Sequence, residues 1–221
     1  MHIYVKALTK IVSRYAPSRM LSFELVHVLK TLQLLDKNGH VSRTLLCREL
    51  ALGEGSIRTL LRHLKRQGLV ESTNSGTRLI EKGKKISSEL LRSISTEAII
   101  PNCSIALGNF NYGVLIKNHS FAIKSGIEQR DAAIKMGALG ATTLLYKDNK
   151  FVMPGVYSSN RDPLQIEQHI SKLLIDKLKP EDGDVIILGS DNKNLRTAEF
   201  GAKNAALYTI MDHEMHSGFT T

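Results

Sequence analysis

Ala51-Leu-Gly-Glu-Gly-Ser-Ile-Arg-Thr-Leu-Leu-Arg-His-Leu-Lys-Arg-Gln-Gly-Leu-Val-Glu71 is the stretch on which the reading of this chain turns. Ile57, Leu60, Leu61 and Leu64 recur at the three- and four-residue spacing of a one-faced helix. Ser56, Arg58, Thr59, Arg62, His63, Lys65 and Arg66 fill the other face. Gly68 stops the helix, and Leu69-Val70-Glu71 opens an extended segment. One apolar stripe beneath a basic, hydroxyl-rich face suits contact with polyphosphate, so the pattern predicts a recognition helix.

Upstream, Ser22 is a candidate N-cap for a broadly apolar helix to about Asp36, and Ser42 for a short one to Leu50. The turn Leu52-Gly53 joins the latter to the basic helix, which predicts a helix-turn-helix. Downstream, Leu69–Ser72 and Thr77–Ile80 flank the loop formers Thr73-Asn-Ser-Gly76 as a hairpin. A helix over about Lys84 to Ile94 follows. Residues 20–95 resemble winged-helix transcription regulators of prokaryotic, especially archaeal, type. The resemblance rests on Leu52-Gly-x-Gly-Ser-Ile-Arg58, Leu60-Leu61, Leu64, Gly68-Leu-Val70 and Glu81-Lys-Gly83.

Charge divides the chain. The total is +9, yet residues 1–95 hold 17 Lys+Arg against 7 Asp+Glu while 96–221 hold 13 against 14. The excess therefore accompanies the basic helix, which points to a nucleic-acid-binding half and a neutral half. Cys47 and Cys103 alone make no disulfide framework, and no apolar run reaches the ~18 residues of a membrane span. These features predict a soluble, cytoplasmic protein with no membrane partner.

Pro101 marks a boundary. Beyond it, Ser104–Gly108 and Tyr112–Lys117 read as a hairpin, Phe121 to Lys135 as a helix, and Ala141–Lys147 and Phe151–Met153 as a second hairpin around Asp148-Asn-Lys150. Asp162-Pro163 reads as the start of a helix to Leu178, Asp184–Leu188 as a continuous apolar strand, and Asn192–Leu207 as an alanine-rich helix. The predicted order is ββαββα, then βα. This half resembles the C-terminal domain of an uncharacterised archaeal family of winged-helix proteins, over about residues 100–207. Ser125-Gly-Ile-Glu-Gln-Arg-Asp-Ala-Ala-Ile134, Gly137-Ala-x-Gly-Ala-Thr-Thr-Leu144, Pro180-Glu-Asp-Gly-Asp-Val-Ile-Ile187 and Arg196-Thr-Ala-Glu199 carry it. The resemblance implies a two-layer, GAD- or DCoH-like α/β fold.

The expected class is thus α+β: an N-terminal arm (1–19), a winged helix-turn-helix domain (20–96), a GAD-like domain (100–209) for dimerisation or ligand sensing, and a flexible tail (210–221). The candidate DNA contacts are Ser42, Arg43, Gly55, Ser56, Arg58, Thr59, Arg62, His63, Arg66 and Arg78. Ser56, Arg58 and Thr59 are the expected base readers, with Arg62 and Arg66 on phosphate. A candidate ligand cluster is Glu128, Arg130 and Asp131, with Ser190 and Asp191 in a strand-loop-helix turn; local ion pairs and a helix cap are the plainer readings of both. Asp212-His-Glu-Met-His216 lacks a convincing metal-ligand spacing, so neither metal nor cofactor is expected. No nucleophile elbow, HExxH or CxxC pattern suggests an enzyme. The reading is a homodimeric regulator that binds double-stranded DNA, with a small-molecule effector as a further candidate partner. An RNA- or translation-associated adaptor is the alternative, and a small-molecule enzyme the least favoured.

Overall fold

The computed structural model describes residues 3–12, 21–157 and 163–216. It is a mixed α+β chain of two compact units, Met1–Leu91 and Arg92–Thr221. The division falls before the expected boundary at Pro101.

The first unit holds α1 (Ile3–Val12), α2 (Leu25–Asn38), α3 (Arg43–Leu50), α4 (Glu54–Arg66), a hairpin of β1 (Val70–Thr73) and β2 (Gly76–Leu79), and most of α5 (Glu81–Ser93). Glu24, not Ser22, caps α2: it forms a reciprocal capping box with His27. Ser42 caps α3 as the sequence predicts, its Oγ accepting from the Leu45 N–H at 3.1 Å. Val26, Leu29, Leu32, Leu46, Leu50, Ile57, Leu60 and Leu64 form the core. The N-terminal arm belongs to this body, because α1 buries Tyr4, Leu8 and Ile11. Residues 13–20, including Pro17, lie outside the described residues.

The second unit is a six-stranded antiparallel sheet in the order β3-β4-β8-β5-β6-β7. Its elements are β3 (Ile94–Ile100), β4 (Phe110–Ile116), α6 (Ile127–Lys135), β5 (Gly140–Lys147), β6 (Lys150–Tyr157), β7 (Pro163–Gln165), α7 (Gln168–Leu178), β8 (Val185–Asp191) and α8 (Leu195–His216). All seven residues of β8 are buried, as its continuous apolar run requires of a central strand covered on both faces. Ile186 and Leu188 join Leu115, Leu144, Phe151 and the α7 residues Ile170, Leu174 and Leu178 in one core. On β8, Gly189 lets α8 approach so closely that a Cβ there would lie 2.4 Å from the Ala198 carbonyl oxygen.

Several expectations fail here. The helix expected from Phe121 begins only at Ile127, because a single 3-10 turn at Ser120–Ala122 ends and Gly126, at φ of +80°, turns the chain before α6. Ser104–Gly108 is not a strand; β4 pairs with Ile94–Ile100, whose first residue, Ile94, continues the helical spacing of Ile86 and Leu90 in α5 and so disguises the start of a strand. Pro163 opens the short edge strand β7 rather than a helix, a position where its missing N–H costs nothing. The helix starts at Gln168, and Asp162 lies outside the described residues. The last helix continues to His216 instead of ending near Leu207, so residues 210–216 of the expected tail are helical, and 217–221 lie outside the described residues. The side chains of residues 212–216 lie outside the described set. The Asp148-Asn149 hairpin is present, with φ of +50° and +59° at its two central residues, as a type I′ turn requires.

Candidate nucleic-acid interface

The groove on the first unit is assembled by one backbone bridge. Val41 and Thr77 exchange two N–H to carbonyl bonds of 2.9 Å, which lay the β1–β2 hairpin beside the capped start of α3. Gly76 is required there: with φ of +128°, its Cβ position lies 2.7 Å from the Val41 carbonyl oxygen. On the other wall, Ala51 adopts a left-handed conformation and lets the chain turn from α3 into α4. Arg58, Leu61, Arg62 and Lys65, spaced as i, i+3, i+4 and i+7, then form one ridge facing α3 and the hairpin.

Ser42, Arg43 and Thr44 complete the α3 wall, and Ser72 to Thr77 the hairpin wall. Arg43, Arg58, Arg62 and Lys65 give the groove four cations, and no acidic side chain lines it. Arg43, Arg58, Arg62 and Lys65 have no ion-pair partner among the described residues, so the local field is uncompensated. Hydroxyls and the Asn74 amide supply neutral donors around them. Chemically, such a cationic groove could attract a polyanion. Of the hairpin wall, the sequence points only to Ser75, and it leaves out Thr44, Leu61 and Lys65; the i, i+3, i+4, i+7 relation of Lys65 to Arg58 is the signal that identifies it.

The polar face of α4 is not one surface but two. Ser56, Thr59, His63 and Arg66 repeat along the flank away from the groove and do not line it. His63 is buried: its Nδ1 lies 2.6 Å from the Ile11 carbonyl oxygen, and Phe23 meets its ring edge-on. Helix α1 occupies that flank, so His63 cannot contact a ligand from solvent. Thr59 donates its hydroxyl proton to the Gly55 carbonyl at 3.0 Å. Gly55 is exposed, and Arg66 lies at the far end of the flank. Glu54 stands in the first turn of α4 and already complements the positive helix end. The cations that α4 gives the groove, Arg58, Arg62 and Lys65, therefore lie beyond its first turn. Arg78 also faces elsewhere: its cross-strand partner Glu71 holds it at 2.6 Å, beside Asp36, His40 and Glu81.

In the second unit the expected ligand cluster does not converge. Arg130 pairs with its neighbour Asp131 at 3.1 Å, both half-exposed on α6, and Glu128 lies partly buried on the same helix. Ser190 is buried and fully used, donating to Asn111 Oδ1 at 2.7 Å and accepting from the Leu107 N–H at 3.1 Å. Asp191 accepts from the Lys193 and Asn194 N–H groups and closes the turn before α8. Both are structural residues. The dense charge cluster that the sequence reading missed is Glu97, Glu199 and Lys203. Lys203, 3 % exposed, bridges the two carboxylates at 2.9 and 2.7 Å, and the Tyr112 hydroxyl donates to Glu97. Burial, then the nearby carboxylates, push the Tyr112 phenol well above its ordinary range. Strands and helix are pinned together by it. Among the described residues no group of three or more His, Cys, Asp or Glu is placed to hold a metal ion, and no helix is long and apolar enough to cross a membrane.

Comparison with known proteins divides the chain in the same way. Residues 24–85 match the family model described as "PH0730-like, N-terminal domain", and residues 107–210 match "Domain of unknown function (DUF4443)". Among solved structures, "Hypothetical protein PH0730 from Pyrococcus horikoshii OT3" is similar, with 30% identity and a TM-score of 0.65 over 87% of this chain and 95% of that one. No curated protein matches. With both of its domains matched in order, and a relative at that identity aligned over nearly its whole length, the chain belongs to the PH0730-like family.

Proposed function

We propose that this chain is a cytoplasmic, homodimeric DNA-binding transcriptional regulator. The order α2, α3, α4, hairpin, α5 in the first unit supports a winged helix, read with α4 as recognition helix and β1–β2 as the wing. The observation that carries the reading is the groove, with Arg43, Arg58, Arg62 and Lys65 uncompensated on its walls. Arg58 and Arg62, on the exposed ridge of α4, are the residues placed to enter a major groove ~12 Å wide. Arg43 and Lys65 hold phosphate, and the wing lies along the adjacent backbone. The second unit is read as a GAD-like body whose role is dimerisation, not catalysis.

The test is a titration of labelled duplex genomic fragments against the full chain, with structured RNA as competitor. Duplex DNA should bind and resist displacement by RNA. Displacement at lower concentrations of RNA than of unlabelled duplex would transfer the groove to an RNA adaptor.

A further inference from the structure

Helix α6 presents its greasiest side to solvent. Gln129, Ala132 and Ala133 are buried. At 3.6 residues per turn this places Ile127 and Ile134 together at the opposite pole, with Arg130 on one shoulder and Asp131 on the other. Both isoleucines are about half exposed, and so are Leu107 and Leu139. Leu107 borders the stem of Arg130: Leu107 Cδ1 and Arg130 Cγ lie 3.0 and 3.3 Å from the point a Gly140 Cβ would fill. An amphipathic helix on a solvated surface should place its polar residues at that pole.

We infer that the α6 face, centred on Ile127 and Ile134 and flanked by Arg130 and Asp131, is the surface through which a second copy of this chain docks. Charge complementarity selects the occupant. When two such helices pair about a two-fold axis parallel to them, each isoleucine meets its own equivalent. Arg130 then lies opposite the partner's Asp131 on both sides of the seam. The antiparallel pairing places like charges together and is disfavoured. The units also sort by net charge: residues 1–91 hold 16 Lys+Arg against 7 Asp+Glu, and residues 92–221 hold 14 against 14. Copies meeting through the neutral unit avoid the repulsion between two basic ones. Among the described residues, every large apolar side chain that is exposed, from Ile99 to Tyr208, belongs to that neutral unit. The inference rests on the dimer proposed above and names its interface.

Sedimentation of the full chain without DNA tests it, over about 1 to 100 μM, so that failure here leaves the DNA reading of the groove standing. The wild type should be a dimer, and the double variant Ile127→Glu/Ile134→Glu a monomer with an unchanged circular-dichroism spectrum. Arg130→Asp alone and Asp131→Arg alone should each weaken self-association at least about tenfold. Mixing these two variants should restore it, since an acidic pair then meets a basic pair; repair of a pairing within one chain would show no such mixing effect. A monomeric wild type, a dimer insensitive to the double glutamate variant, or no recovery on mixing each overturns the inference.

Discussion

Arg58 and Arg62 stand one turn apart on the groove wall, and each is expected to contribute about 1–3 kcal/mol to a DNA complex if it reaches a base edge. Arg58→Ala should therefore lower affinity by about tenfold or more, while Ser56→Ala and Thr59→Ala, on the other flank, should change it little. Parallel fluorescence-anisotropy titrations of the three variants check the split of α4 into two faces. His63 belongs to stability instead. His63→Ala removes the partner of the buried Ile11 carbonyl and should cost about 1–3 kcal/mol in urea unfolding. His27 supplies a pH signature: burial lowers its pKa below 6.5 despite the raising effect of its bond to the Glu24 backbone. A base with a depressed folded pKa contributes stability above the unfolded value that is lost as pH falls. Stability should thus decline below about pH 6.5, and His27→Gln should flatten that slope.

At the scale of elements, close packing by small residues decides the second unit. The Cβ added by Gly189→Ala would meet α8 backbone at 2.4 and 2.7 Å, which rigid helix and strand cannot yield cheaply. A loss of about 1–3 kcal/mol, read as a fall in midpoint at constant denaturant slope, is expected. Lys203→Ala should cost about 3–5 kcal/mol, because it strands Glu97 and Glu199 partly buried against each other. The periodicity of α4, the Ser42 cap, the buried β8 run and both tight hairpins were legible from the sequence, since each depends on local residues. Strand β3 was hidden because Ile94 fits the α5 helical repeat and also the strand, and only the non-local pairing with β4 decides between them. The Lys203 cluster was illegible for the same reason: its members lie up to 106 positions apart, between Glu97 and Lys203.

Over the whole molecule, the charge division seen in the sequence coincides with the division into compact units, so the excess positive charge and the cationic groove lie in the same unit. What composition could not show was that α1 covers one flank of the basic helix, removing His63 from the candidate surface. The central claim is that the groove between α3, α4 and the hairpin binds duplex DNA through uncompensated cations. It is tested most directly by the salt dependence of duplex binding for the wild type and for Arg43→Ala/Lys65→Ala, the pair assigned to phosphate. The wild type should give a linear fall of log K with log salt, and the double variant a weaker affinity with a slope flatter by about 2 and an unchanged fold. Wild-type binding that is absent even at low salt, or a double variant with the same affinity and slope, would contradict it.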